Sequence, residues 1–350
     1  MKKIPVSVLA ATGAVGQRFV QLLENHPWFD VVALSGSARS VGKKYAEACS
    51  WILPGEIPAY ARELIVQPSD PKSIRTPLVF SALPASEAKE IEPLFAQAGA
   101  AVCTNAGAFR RDPLVPILLP EVNPEHTALI PAQRAAYHRE GFIVTNPNCT
   151  STGMTIALKA LQNAFGVRRV FAVSMQAISG AGYPGVPALD ILGNVVPYIA
   201  GEEEKVAWEP RKMLGTVDEG KLHLAEIGFS VHANRVPVID GHTVVLTVEL
   251  DAPRVDVELA ARALSKYQAP TVSRDLPSAP QPVIRLRDEP NRPQPRLDLT
   301  QGMTTFVGRV RPDDLFDLRL VVVSHNTIRG AAGGSIYNAE LLVQQGFVGK

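Results

Sequence analysis

Ile4-Pro5-Val6-Ser7-Val8-Leu9 is a short run rich in β-branched residues, and Ala10-Ala11-Thr12-Gly13-Ala14-Val15-Gly16 follows it directly. Over residues 17–23 the apolar side chains of Phe19, Val20, Leu22 and Leu23 then fall on one face at helical spacing. The stretch reads as strand, glycine-containing turn, helix. Further apolar runs lie at 31–34, 78–83, 101–104 and 142–145, with helix-compatible segments such as 86–98 between some of them. Near-continuous apolar strands alternating with helices describe a parallel sheet covered on both faces, the doubly wound α/β arrangement, over residues 1 to about 148.

Beyond that point the pattern changes. A helix is expected over about 151–164, then long strands at 169–178, 227–238, 243–250, 306–311 and 315–324 with less helix between them. This predicts an α+β second domain on a mainly antiparallel sheet. Residues 270–295 hold seven of the 29 prolines among many charges and read as an extended surface loop. A last helix, about 333–345, is Gly- and Ala-rich at its start, which permits close packing, back onto the first domain. The apolar residues Ile191, Leu192, Val195, Val196 and Ile199 suit either a subunit contact or ordinary helix core.

Composition bounds the function. The chain has 350 residues, 46% hydrophobic, with 35 basic against 34 acidic side chains and a formal charge of +1. It is too apolar and too balanced for a disordered chain and has no basic surplus for a nucleic-acid backbone. Cys49, Cys103 and Cys149 are an odd number in no metal-ligand spacing, which argues against a disulfide framework or a metal site and for a reducing compartment, the cytoplasm. Residues 170–189 reach spanning length but include Gln176, three glycines and two prolines, so a buried strand running into a loop is expected in place of a membrane helix.

The turn at 10–16 is a variant of the glycine-rich dinucleotide fingerprint, with Ala10 at the first glycine position. Gly13 lets a pyrophosphate approach a helix N-terminus, and Gly16 lets helix and strand pack closely. After the second strand the chain reads Ser37-Ala38-Arg39-Ser40, where an NAD-specific protein usually places an acid; an arginine with hydroxyls suits the 2′-phosphate of NADP. In Asn146-Pro147-Asn148-Cys149-Thr150-Ser151 the cysteine follows a strand and precedes a helix with hydroxyl residues suited to capping it, where a helix N-terminus favours thiolate. Cys49 and Cys103 read as buried small hydrophobes. Among seven histidines sequence alone selects weakly: His242, at the mouth of a strand, is better placed than His126 or His138 in a polar, peripheral-looking segment. Arg235, seven residues earlier, suits a substrate carboxylate.

These residues, together with Ser179-Gly180-Ala181-Gly182-Tyr183-Pro184-Gly185, Gly201-Glu202-Glu203-Glu204-Lys205, Asn234-Arg235-Val236-Pro237 and Gln176 placed 27 positions after Cys149, resemble the aspartate-semialdehyde dehydrogenase family, in its archaeal and fungal-type branch. The resemblance covers nearly the whole length. It implies a Rossmann-like NADP-binding domain, 1–148, completed by a C-terminal helix at 328–350, and a catalytic and dimerisation domain, 149–327. The implied reaction is the reversible NADPH-dependent reductive dephosphorylation of aspartyl phosphate to aspartate semialdehyde, in the route to lysine, threonine, methionine and isoleucine. By the same resemblance Cys149 is the nucleophile that forms a thioester, His242 the general acid/base and Gln176 an orienting residue. Arg235 and Glu202 face the substrate carboxylate and ammonium, while Arg110, Asn148 and Lys205 hold phosphate. Thr12, Gly13, Ala14, Val15, Ser37, Arg39, Ser40, Ser81, Ser179, Gly180, Gly182 and Asn326 contact the cofactor, Asn326 at the carboxamide of the nicotinamide. A homodimer or homotetramer is implied, with no metal.

Ala10 departs from the family's usual glycine, so either the turn needs no left-handed residue there or cofactor affinity falls. Malonyl-CoA reductase shares the branch and the cysteine chemistry, but a malonyl group has no ammonium for Glu202. N-acetylglutamyl-phosphate reductase is a more distant relative. A non-catalytic nucleotide-binding regulator has no need of Cys149, Gln176, Arg235 and His242 together.

Overall fold

The computed structural model describes residues 2–252 and 255–349. Met1 and Lys350, the outer ends of the expected segments 1–148 and 328–350, lie outside the described residues. The first sheet contains β1 (Ile4–Leu9), β2 (Phe29–Ser35), β3 (Val66–Gln67), β4 (Leu78–Ser81), β5 (Ala101–Thr104) and β6 (Phe142–Thr145) in the order β3-β2-β1-β4-β5-β6. All its ladders are parallel. The strand order reverses beside β1, so the crevice at the carboxyl ends of β1 and β4 is where such a sheet receives ligands.

The turn after β1 decides the question raised by Ala10: its φ is +53°, so the chain does adopt the left-handed conformation there with an alanine. That costs about 1 kcal/mol relative to a relaxed backbone. The turn is tight because a Cβ on Gly16 would lie 2.2 Å from the Ala10 carbonyl oxygen.

The second sheet is built from β7 (Arg169–Gln176), β10 (Gly228–Arg235), β11 (His242–Glu249), β12 (Ile284–Arg287), β13 (Thr305–Pro312) and β14 (Leu318–Ser324), in the order β10-β7-β11-β14-β13-β12; β8 (Thr216–Asp218) and β9 (Lys221–His223) form a separate hairpin. The three inner ladders are antiparallel and the two outer ones parallel, so the sheet is mixed. Strict alternation along β7 and β11 buries one face, where Ala172, Leu246 and Leu320 pack with Met154, Leu158 and Leu161 of the helix Cys149–Phe165. Each leucine buried there contributes roughly 1.5–3 kcal/mol. On the opposite face Phe171, Val173 and Met175 stay partly exposed, while Phe229 and Val231 of β10 flank the buried cluster.

Three expectations change. The helix begins at Cys149, two residues earlier than its hydroxyl-rich start suggested. The segment 270–295 is not a plain surface loop: it holds the helical turn Thr271–Arg274 and β12, a parallel edge strand whose prolines fall outside it. Leu276 packs on Tyr337 and Leu341, and Ser278 donates both its N–H and its hydroxyl to the buried Glu340. The run near residue 191 is not helix core either, because only Ile191 is buried while Leu192 and Val195 are exposed. The final helix, Gly333–Gln344, lays Ile336, Ala339 and Leu342 against the first sheet beside Val6, Phe19 and Phe80.

Candidate active site

The end of β6 meets the second sheet at the helix Cys149–Phe165. Asn148 is its N-cap, and the side-chain oxygen accepts from the N–H groups of Thr150 and Ser151 at 2.9 and 3.1 Å. An amide therefore does the capping that the hydroxyls were expected to do. Cys149 becomes the first helical residue, half-buried, with its Sγ 3.1 Å from Nε2 of His242 at the start of β11.

The other ring nitrogen of His242 accepts the Ala177 N–H at 3.0 Å. A nitrogen that accepts carries no proton, so in the neutral ring the proton sits on Nε2 and faces the sulfur. Burial, with help from Arg235 and His325, pushes His242 down to about 3, which keeps it neutral near pH 7. Burial likewise pushes the Cys149 thiol up to about 12, Glu202 adding to the effect while Arg110, Arg235 and the Thr150 N–H oppose it. The helix N-terminus alone thus does not ionise the sulfur. The resting pair is thiol and imidazole.

Parallel pairing of β10 with β7 sets Arg235 directly beside Gln176, at the edge where β11 begins. Arg235 is buried and donates from Nη1 to the Ala177 carbonyl at 2.8 Å. Gly180 closes over the pair, because a Cβ there would come within 2.8 Å of Arg235 Nη1 and 3.0 Å of the His242 ring. Glu202, the first residue of the helix Glu202–Met213, is buried, and its Oε1 accepts from Asn148 Nδ2 at 2.8 Å, Gln176 Nε2 at 3.1 Å and the Thr150 hydroxyl at 3.4 Å. Its Oε2 lies 3.6 Å from Nζ of the half-exposed Lys205. The structure thus joins Cys149, His242, Gln176, Arg235, Glu202, Lys205 and Asn148 around one point.

Arg110 reaches the same region with three donors committed, Nε to the Asn146 carbonyl, Nη1 to Glu209 and Nη2 to the Asn105 carbonyl, at 2.8 to 3.0 Å. Glu209 and the neighbouring Lys212 were not legible as site residues in a helix whose polar sequence reads as a solvated face. His126 was misjudged as peripheral: it is fully buried, bonded to Asn123 and the Gly215 carbonyl. Behind the nucleophile, a Cβ on Gly330 would meet the Cys149 Cβ at 2.7 Å. Gly330 belongs to the π-helical turn Ile328–Ala332, which is anchored by a bidentate pair between the fully buried Arg329 and Glu121.

The cofactor candidates lie beyond or at the ends of β1, β2, β4, β7 and β14. Thr12, Gly13, Ala14 and Val15 border the helix Ala14–Leu22, whose N-cap Gly13 supplies no side-chain bond, leaving its first N–H groups open to an anion. Ser37, Arg39 and Ser40 form the turn after β2; Arg39 is exposed and makes no ion pair among the described residues. Ser81, at the end of β4, is fully buried with its hydroxyl turned to the Leu83 N–H. Asn326 is committed at both ends, accepting the Gly241 N–H and donating to the Ser179 hydroxyl, each at 2.8 Å. The cleft beside it is lined by Ala14 and Arg18 from one side and Ser179, Gly182 and Asp240 from the other. An open helix N-terminus, a basic turn beyond β2 and a glycine loop beside the cysteine fit a phosphorylated dinucleotide.

Among the described residues no helix is long and apolar enough to cross a membrane. The family model "Semialdehyde dehydrogenase, NAD binding domain" matches residues 5–130, and "Semialdehyde dehydrogenase, dimerisation domain" matches 158–329. The chain is 50% identical to an aspartate-semialdehyde dehydrogenase of Archaeoglobus fulgidus, over 97% of this chain and 98% of the relative. It is 44% identical to the enzyme of that name from Schizosaccharomyces pombe, over 98% and 99%. Among solved structures, the Candida albicans aspartate-semialdehyde dehydrogenase with NADP superposes with a TM-score of 0.91 at 40% identity, covering 99% of this chain and 100% of that one. The likeness in fold and sequence thus extends over nearly the whole length, and the chain belongs to the aspartate-semialdehyde dehydrogenase family.

Proposed function

We propose that the protein catalyses the reversible NADPH-dependent conversion of L-4-aspartyl phosphate to L-aspartate 4-semialdehyde and phosphate, the reductive step towards lysine, threonine, methionine and isoleucine. The observation that carries this reading is the 3.1 Å approach of Cys149 Sγ to His242 Nε2, with Arg235, Gln176 and Glu202 on the same rim. Cys149 attacks the acyl carbon, the carbon–oxygen bond to phosphate breaks, and the thiol proton leaves with the phosphate. Covalent capture replaces one difficult reduction by two easier steps through a thioester. Arg110 and Lys205 receive the departing dianion; Asn148, bound up in capping and in Glu202, supports this site through its position. Arg235 pairs with the substrate α-carboxylate and Glu202 with its ammonium, while the Gln176 side-chain oxygen is left for the reacting end.

NADPH, when bound along Thr12–Val15, Ser37–Ser40, Ser81 and the Ser179–Gly182 loop with Asn326, supplies the hydride for the thioester carbon. His242 carries its proton on Nε2, placed to protonate the oxygen as charge develops, to take that proton back as the carbonyl forms and to pass it to the sulfur as the carbon–sulfur bond breaks. The half-exposed sheet face of Phe171, Val173 and Met175 supports dimerisation, in keeping with the family model over 158–329; a tetramer and a cytoplasmic location extend the same reading. The units are 1–148 with 328–350, and 149–327.

The direct test is NADP reduction with aspartate semialdehyde and phosphate, followed at the absorbance of NADPH. A rate that depends on phosphate is expected. Absence of that rate, with turnover of malonyl-CoA, would replace this reading by the rival reductase.

A further inference from the structure

One helix turn of Glu202–Met213 carries two buried charges that the reaction above leaves unused, Glu209 and Lys212. Glu209 Oε1 accepts from Arg110 Nη1 at 2.9 Å, and its Oε2 accepts from the Asn148 N–H at 2.6 Å, one residue before the nucleophile. Lys212 is fully buried, and its Nζ donates to the carbonyls of Arg110, Asp112 and Val115 at 2.8, 2.6 and 2.7 Å. An ammonium has three donors and no acceptor, so all three are matched. Arg110 is therefore gripped twice from the same helix, by its guanidinium and by its own carbonyl.

With three of its five donors committed to protein, the Arg110 guanidinium has two N–H groups left for a ligand. A long side chain ordered in advance loses less freedom on binding than one that must be fixed by its ligand. We propose that Glu209 and Lys212 are positioning residues that lock Arg110 and the Asn148–Cys149 turn into one unit, so that the phosphate site and the nucleophile keep a fixed relation. Neither residue touches the reacting atoms. Their positions follow Glu202 by seven and ten residues, so the helix delivers substrate recognition at its first turn and the clamp at its last two on one stripe. Burial pushes Lys212 down to about 8, with Asp112 and Glu209 opposing, which leaves it protonated at neutral pH.

This inference rests on the proposed reaction, and Glu209→Gln tests it. A glutamine has one acceptor where the carboxylate has two, so its NH2 group must oppose either the Arg110 N–H or the Asn148 N–H. In the phosphate-dependent oxidation of the semialdehyde, KM for phosphate is expected to rise about tenfold or more while KM for the semialdehyde changes less than about threefold. Glu209→Asp, which keeps the charge but is one methylene too short to span both partners, is expected to share the defect; it also serves if the glutamine variant does not fold. Lys212→Met is expected to raise the phosphate KM as well. If phosphate KM is unchanged in the folded Glu209 variants, or both KM values rise in the same proportion, the clamp is wrong. If the unaltered enzyme shows no phosphate-dependent rate, the proposed reaction fails instead, so the two failures are separable.

Discussion

The two walls of the cleft are built on opposite plans. On the cofactor wall the groups that await a ligand are open: Gly13 leaves its helix uncapped by any side chain, and Arg39 stands exposed without an ion-pair partner among the described residues. On the catalytic wall nearly every polar group already has a protein partner, Glu202 accepting three bonds through one oxygen and Arg110 donating three. A cofactor that comes and goes is met by an open mouth, whereas the reacting carbon is met by groups whose positions were fixed during folding. Substitutions on the first wall should therefore change cofactor affinity, and those on the second should change the rate or the hold on substrate and phosphate.

The sharpest separation is expected from Cys149→Ala. Turnover should fall by at least about 10⁴-fold, with NADP binding, read by fluorescence titration, unchanged. Persistent turnover would remove the thioester route. His242→Ala should lower kcat by about 10²- to 10⁴-fold with little effect on cofactor KM; a cofactor effect of equal size would erase the contrast between the walls.

A titration probes the catalytic wall without mutation. Because burial raises the Cys149 thiol to about 12, the thiolate fraction at a given pH is smaller than for free cysteine. Alkylation of the free enzyme by iodoacetamide should keep accelerating from about pH 6 to about pH 10. His242, held near 3, should add no step above about pH 5. A plateau near neutrality would show that the sulfur rests as thiolate.

On the cofactor wall, Arg39→Ala should raise the KM for NADP about tenfold, some 1.4 kcal/mol, and leave that for NAD nearly unchanged. The smallest effect concerns stability. Ala10→Gly relieves a positive φ, and thermal unfolding should show a gain of about 1 kcal/mol or less, since glycine also loosens the unfolded chain.

The first sheet was legible because its strands carry their own apolar runs and its first turn is a local motif. Cys149 could be singled out from its immediate neighbours, whereas His242 was favoured only weakly until the family resemblance gave it a role. The adjacency of Arg235 and Gln176 could not, since it arises from parallel pairing of strands distant in sequence. Glu209 and Lys212 were hidden for a different reason: in a helix of low hydropathy a buried charge looks the same as a solvated one until its partners, here Arg110 and three carbonyls, are known. The segment 270–295 misled because proline content reports local extension, which an edge strand and a loop share.

The glycine turn behind the nucleophile bears on how the enzyme comes into being. Asn146 Nδ2 donates to the Gly330 carbonyl across 184 positions of sequence, and Gly330 forms the back of the cysteine. Contacts of such separation form late, after the local ones have reduced the entropy of closing the intervening chain. During synthesis Cys149 emerges with Arg110 already made but without its wall, its histidine or Arg235. A half-made chain carries an ordinary cysteine, and one held against a histidine and a substrate site appears only with the finished fold.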